Sequence, residues 1–185
     1  MIRAFVGVRI DRSVVEALSR LQSELRSQLG GLRWVALQNL HLTLKFFGEV
    51  SDAKISLISA ALEEVGRSLP RFSMESRGIG VFPDIKNPRV LWVGVEARPL
   101  VMATEAVEAA VEPLGFEREK RAFEPHLTVG RWRQFNGLKE TLRQAIERWK
   151  DVSFGTTQVE ELVLFQSVLK PEGAVYSPLH VVRMG

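Results

Sequence analysis

The sequence predicts an α+β fold assembled from two similar halves, and three observations carry that expectation. The triplet His-Leu-Thr occurs twice, in "NLHLTLKFFGEV" (39–50) and in "EPHLTVGRWRQF" (124–135). Each triplet lies in a run whose apolar residues alternate, which is the period of a half-buried strand. Around each run, helical and strand-like patterns follow in the same order. Two copies are too few for a solenoid, and no low-complexity segment separates them. The chain is therefore expected to be one domain over residues 1–185.

Taken in order, "IRAFVGVRI" is rich in β-branched and aromatic residues and predicts a strand. In "DRSVVEALSRLQSELRSQLGG", Val14, Leu18, Leu21, Leu25 and Leu29 recur at helical spacing, and Gly30-Gly31 ends the run. The first motif strand follows. Ser51 and Asp52 are suited to cap a second helix carrying Ile55, Ile58, Leu62 and Val65. "RFSMESRGIGVFP" and "RVLWVGVE" predict two strands joined by "DIKNP". Pro99 suits the first turn of a third helix, which carries Val107, Val111 and Leu114 and stops at Gly115. After the second motif strand, "NGLKETLRQAIERW" predicts a fourth helix. Asn136 is its expected cap, and Leu138, Leu142, Ile146 and Trp149 share its buried face. "DVSFGTTQVEELVLFQS" and "AVYSPLHVV" read as two closing strands.

Composition excludes several function classes. The 185 residues are 45% apolar, enough for a sizeable core, and carry a formal net charge of +3. That permits an anionic partner without requiring one. There is no cysteine, so disulfides, thiolate catalysis and cysteine metal sites are ruled out. No apolar run is long enough to span a bilayer, so no membrane association is expected. "MIRAFVGVRI" is interrupted by Arg3 and Arg9 and lacks the apolar centre of a signal peptide, so the expected location is cytoplasmic.

The two motifs account for two of the chain's three histidines. Strand alternation puts His41 and Thr43 on one face, and Leu42, Leu44 and Phe46 on the other. His126 and Thr128 are separated from Leu127 and Val129 in the same way. Two such strands across a cleft would present two imidazoles and two hydroxyls to one ligand. In-line displacement at phosphorus needs a base beside the attacking oxygen and an acid beside the leaving oxygen. Imidazoles titrate in the right range for both, and hydroxyls can hydrogen-bond the non-bridging oxygens. One His-x-Thr alone is better read as a hydrogen-bonded core histidine; the duplication favours chemistry. A metal site is the weaker reading. No His-x-x-x-His helix or carboxylate cluster accompanies the pair, and Asn39 stands where Glu124 stands before the second motif. His180, in "SPLHVV", has no such partner and reads as structural.

These motifs and their flanks resemble the 2H phosphoesterase superfamily, and within it the RNA 2′,3′-cyclic phosphodiesterases, also called 2′–5′ RNA ligases. The resemblance runs through "RAFVGV", "NLHLTLKFFGEV", "GIGVFP", "RVLWVGV", "FEPHLTVGR" and "LFQSVLKPEGAVYSPL". It implies a bilobal, pseudo-two-fold fold, with two antiparallel sheets lining a central cleft and helices outside. It implies that His41, Thr43, His126 and Thr128 line that cleft as the catalytic residues. The implied substrates are RNA ends with a 2′,3′-cyclic phosphate, opened to a 2′-phosphate, with ATP-independent 2′–5′ ligation in some members. No metal and no cofactor is implied. A monomer is the expected working unit.

Two cations beside the motifs are candidate substrate-binding residues. Lys45 has the parity of His41. Arg131 has the opposite parity to His126 under strict alternation, and a bulge at Gly130 would re-aim it. Arg118, Lys120 and Arg121 precede the second motif, but Glu117, Glu119 and Glu124 are interleaved with them. Phe46, Phe123, Trp132 and Tyr176 are aromatic candidates for stacking on bases. Two other functions remain open from sequence: a phosphodiesterase acting on small cyclic phosphates, and an RNA-binding protein that keeps the cleft without catalysis.

Overall fold

The structure is a computed structural model that describes residues 1–185. Its elements run β1 (Ile2–Arg9), α1 (Arg12–Arg26), β2 (Leu32–Trp34), β3 (His41–Val50), α2 (Asp52–Ser68), β4 (Phe72–Phe82), β5 (Val90–Glu96), α3 (Arg98–Val111), β6 (His126–Trp132), α4 (Lys139–Trp149), β7 (Ser153–Val159), β8 (Glu161–Lys170) and β9 (Gly173–Arg183). The strands form an antiparallel sheet in the order β7-β4-β5-β6-β3-β1-β8-β9, with β2 beside β6. The two predicted sheets are thus β7-β4-β5-β6 and β3-β1-β8-β9. They meet at one residue pair, Leu42 with Leu127. The motif strands lie at the centre and diverge from that pair.

The helices begin and end where local chemistry directs. The Ser51 hydroxyl accepts from the Lys54 amide at 3.3 Å, capping α2. Pro99 lies in the first turn of α3. A short 3₁₀ turn follows α3 and closes on Gly115, whose φ of 90° a side chain would disfavour. Two details differ from expectation. Leu138, not Asn136, occupies the cap of α4, and its extended backbone takes it off the helix, leaving it 76% exposed. The run "DVSFGTTQVEELVLFQS" is two strands, not one, because the chain breaks at Glu160 and crosses from one lobe to the other.

That crossing interlocks the halves. β4, from the first half, pairs with β7 of the second, and β8, from the second half, pairs with β1. The helices divide likewise: α2 packs on β8 and β9 and α3 on β3, while α1 packs on β7 and α4 on β4. One cluster of 38 buried side chains runs beneath both lobes, with Leu42 and Leu127 in it. Burial of that apolar face is what holds the sheet to its helices. Leu127→Ala is expected to cost about 2–5 kcal/mol in urea unfolding. Leu138→Ala, at the surface, should stay within about 0.5 kcal/mol.

Candidate active site

Because Leu42 and Leu127 face each other on the core side, the residues flanking them point to the opposite face. His41, Thr43, His126 and Thr128 therefore converge there, with the two histidines diagonal across the bridging pair. All four remain at least partly exposed, whereas Leu42, Leu44, Leu127 and Val129 are buried.

Backbone carbonyls aim both rings. His41 Nδ1–H donates to Asn39 O at 2.6 Å, and His126 Nδ1–H donates to Glu124 O at 2.7 Å. Each acceptor lies two residues before its histidine. A carbonyl can only accept, so Nδ1 carries the proton and Nε2 is the nitrogen available to a ligand. Thr43 Oγ1 lies 3.0 Å from His41 Nε2.

The surroundings of the rings differ. His41 lies over Phe5 at 4.7 Å between centroids and meets the edge of Tyr176 at 5.0 Å. His126 meets Phe82 edge-on at 5.0 Å. Burial, foremost, pushes the His41 pKa below 6.5; the Asn39 carbonyl opposes this, and the charges of Arg131 and His126 add to it. Both Arg131 and His126 are therefore within electrostatic reach of His41.

Each motif strand carries a β-bulge immediately after its threonine. Against β1, Thr43 pairs with Gly7 and Lys45 with Val6, leaving Leu44 as the extra residue. Against β5, Thr128 pairs with Trp92 and Gly130 with Leu91, leaving Val129 extra. The bulge reverses the alternation beyond it. In β6 it turns Arg131 to the cleft face, as the Gly130 reading anticipated. A side chain at position 130 would run into Leu32. In β3 the same device overturns the expectation for Lys45. Lys45 is turned to the helix side, 8% exposed, where Nζ bonds Glu108 Oε2 on α3 at 2.6 Å and Glu117 O at 2.8 Å. It does not face the cleft. Phe46 replaces it there, 47% exposed, with the Arg3 guanidinium 4.5 Å above its ring.

The other candidates scatter. Trp132 is buried and bonds Gly30 O through its indole N–H. Arg118 pairs with Glu112 at the surface. His180 pairs with Glu63 of α2, in keeping with its structural reading. No three His, Asp or Glu side chains are grouped as metal ligands would be. No helix is long and apolar enough to cross a membrane.

The family model for LigT-like phosphoesterases matches two stretches, residues 8–92 and 94–176, one for each half of this geometry. The chain belongs to the LigT-like phosphoesterase family. It is 31% identical to an Aquifex aeolicus protein named RNA 2′,3′-cyclic phosphodiesterase, covering 100% of this chain and 98% of that one. It is 37% identical to an Archaeoglobus fulgidus protein of the same name, covering 97% and 98%. A Thermus thermophilus crystal structure superposes with a TM-score of 0.85 at 29% identity, covering 98% of this chain and 97% of that one. Within this LigT-like framework, the twofold family match and the twofold bulge describe the same duplication at two levels.

Two outcomes test these assignments. Lys45→Met should cost roughly 3–5 kcal/mol in chemical denaturation, because it leaves the Glu108 carboxylate buried and unpaired. Lys45→Met with Glu108→Leu should recover most of that loss. The lowered His41 pKa has a signed consequence. Below pH 6.5 the unfolded chain takes up a proton at this position that the folded chain resists. Stability should therefore fall as pH drops below 6.5, and His41→Asn should flatten that part of the profile.

Proposed function

We propose that this protein opens RNA 2′,3′-cyclic phosphate ends to 2′-phosphomonoesters, with His41 and His126 as an acid–base pair and no metal. The observation that carries this is the convergence of two identically oriented imidazoles on one cleft, each presenting Nε2. The names of the full-length relatives supply the substrate class. Thr43 and Thr128 donate to the non-bridging oxygens, where charge develops. Arg131, re-aimed by its bulge, neutralises the phosphate and is suited to a two-pronged contact. Both motifs belong to one chain, which supports a monomer as the working unit.

The side chains that break the symmetry assign the sides. Phe46 offers a base-stacking face on the His41 lobe, about two strand positions beyond Thr43. A terminal nucleoside resting there brings its ribose toward His41. His41 then protonates the departing 3′-oxygen, and His126 takes the proton from water on the far side of phosphorus. The resting pKa of His41 lies low for an acid. The bound phosphate raises it, because a nearby anion favours the charged imidazole.

His41→Ala and His126→Ala should each lower turnover of a cyclic-ended oligonucleotide by about 10²–10⁴-fold. The double variant should lose less than the product of the two, since the pair acts as a unit. Thr43→Ala and Thr128→Ala should lose less than either histidine variant. Arg131→Ala should lower kcat/KM with the fold intact. The kcat/KM profile should be bell-shaped, with its lower apparent pKa below 6.5 and both values belonging to the pair. Sulfur in place of the leaving 3′-oxygen needs little protonation and should restore His41→Ala but not His126→Ala. Rescue of His126→Ala instead would exchange the two roles. Turnover abolished by EDTA and restored by a divalent cation would refute the metal-free mechanism.

A further inference from the structure

Two cavities flank the cleft, one beside each histidine, and their chemistry differs. The cavity beside His126 is about 420 Å³, and its walls balance Glu96 and Glu124 with Arg77 and Lys150. The cavity beside His41 is about 450 Å³ and has no carboxylate in its lining. Its polar walls are Arg9, Arg12, Gln38, Asn39 and Tyr176, with Phe165 as an apolar wall. Of these, only Asn39, whose carbonyl orients the His41 ring, has a part in the proton transfers described above.

We propose that this His41-side cavity is a subsite for the nucleotide that precedes the cyclic-phosphate end, with its linking phosphate held by Arg9 and Arg12. The inference rests on the cyclic phosphodiesterase reading and adds a requirement for a polynucleotide end over a mononucleotide. The ribose of the terminal nucleoside lies toward His41, so the chain leaving through its 5′-oxygen meets this cavity first. The volume exceeds what a phosphate alone would fill and admits a base beside the half-buried ring of Tyr176, which suits stacking, while Phe165 is itself buried and stacked on Phe5. The absence of a lining carboxylate favours the anion here over the His126 side. Arg9 pairs with Glu161 at 2.7 Å and Arg12 with Glu16 at 3.0 Å, with the arginine side chains 49% and 93% exposed. Ion pairs this exposed contribute little, so an incoming phosphate can draw either guanidinium away from its carboxylate.

The test compares two substrates with the same terminal nucleotide: a 2′,3′-cyclic mononucleotide and a dinucleotide with the same cyclic end. Wild-type protein should favour the dinucleotide in kcat/KM by about tenfold or more, the size of one or two charge-assisted contacts. The gain should appear mainly in KM, as expected for contacts made equally before and during reaction. Arg9→Ala and Arg12→Ala should each reduce that ratio by roughly threefold or more, and the double variant should nearly erase it. Circular dichroism would confirm that these surface variants are folded. If both substrates are opened at similar efficiency, or the ratio survives the double arginine variant, the subsite is wrong while the phosphodiesterase reading stands. If neither substrate is opened by wild-type protein, the phosphodiesterase reading fails and the subsite falls with it.

Discussion

The cleft hangs on one backbone contact, the pairing of Leu42 with Leu127 where the two lobes touch. Both leucines are fully buried, so their register is fixed by the core rather than by the cleft. A shift of one residue would expose them and bury the histidines. The chemistry on the open face is thus positioned by packing on the closed one. Nothing in the cleft needs to attract the two motifs to each other. Two imidazolium rings would repel; burial is the main cause that lowers the His41 pKa, and the charges of Arg131 and His126 push it the same way.

The interlocked halves give that contact its stiffness. Each lobe contains strands and helices from both halves, so the halves cannot separate without unpairing β4 from β7 or β8 from β1. Lys45 adds a third tie. From the first motif strand it bonds Glu108 of α3 and the Glu117 carbonyl, at the start of the segment that leads into His126. Glu108 in turn receives the Glu119 amide at 3.4 Å. The approach to the second motif is thereby anchored to the strand that carries the first.

Much of this was legible in the sequence because it is local. The duplicated triplet, the alternating apolar residues and the caps at Ser51 and Pro99 all act within a few positions. The parity argument was sound as far as the threonines and failed beyond them. A bulge depends on the partner strand, and Leu44 looks like any other alternating leucine. Gly130 gave a signal for the second bulge, whereas the first has no glycine at the equivalent position, where Lys45 stands. That is why the sequence carries a sign of the turn before Arg131 and none of the turn before Lys45. The break at Glu160 was also hidden: "GTTQVEELVLF" has continuous strand character, and the change of lobe is decided by β1 and β4, more than 70 residues away in sequence.

Symmetry and its breaking then divide the labour. The duplicated backbone yields matched rings, matched carbonyl acceptors two residues upstream and matched bulges. A reaction with an attacking side and a leaving side needs the two ends to differ, and the difference lies in what each bulge delivers to the cleft. At the fifth position after the first histidine it delivers Phe46, an aromatic face; at the fifth after the second it delivers Arg131, a cation. A substrate with a flat base at one end and a phosphate at the other has one favourable orientation across such a pair. Exchanging the two side chains, Phe46→Arg with Arg131→Phe, keeps the backbone device and inverts its polarity. If orientation is set by these two residues, the exchanged protein should lose kcat/KM for a cyclic-ended RNA by at least as much as Arg131→Ala alone. It should keep its thermal stability, since both positions are exposed. Retained activity in the folded exchange variant would mean that orientation is set elsewhere, by the cavities beside the histidines rather than by the bulges.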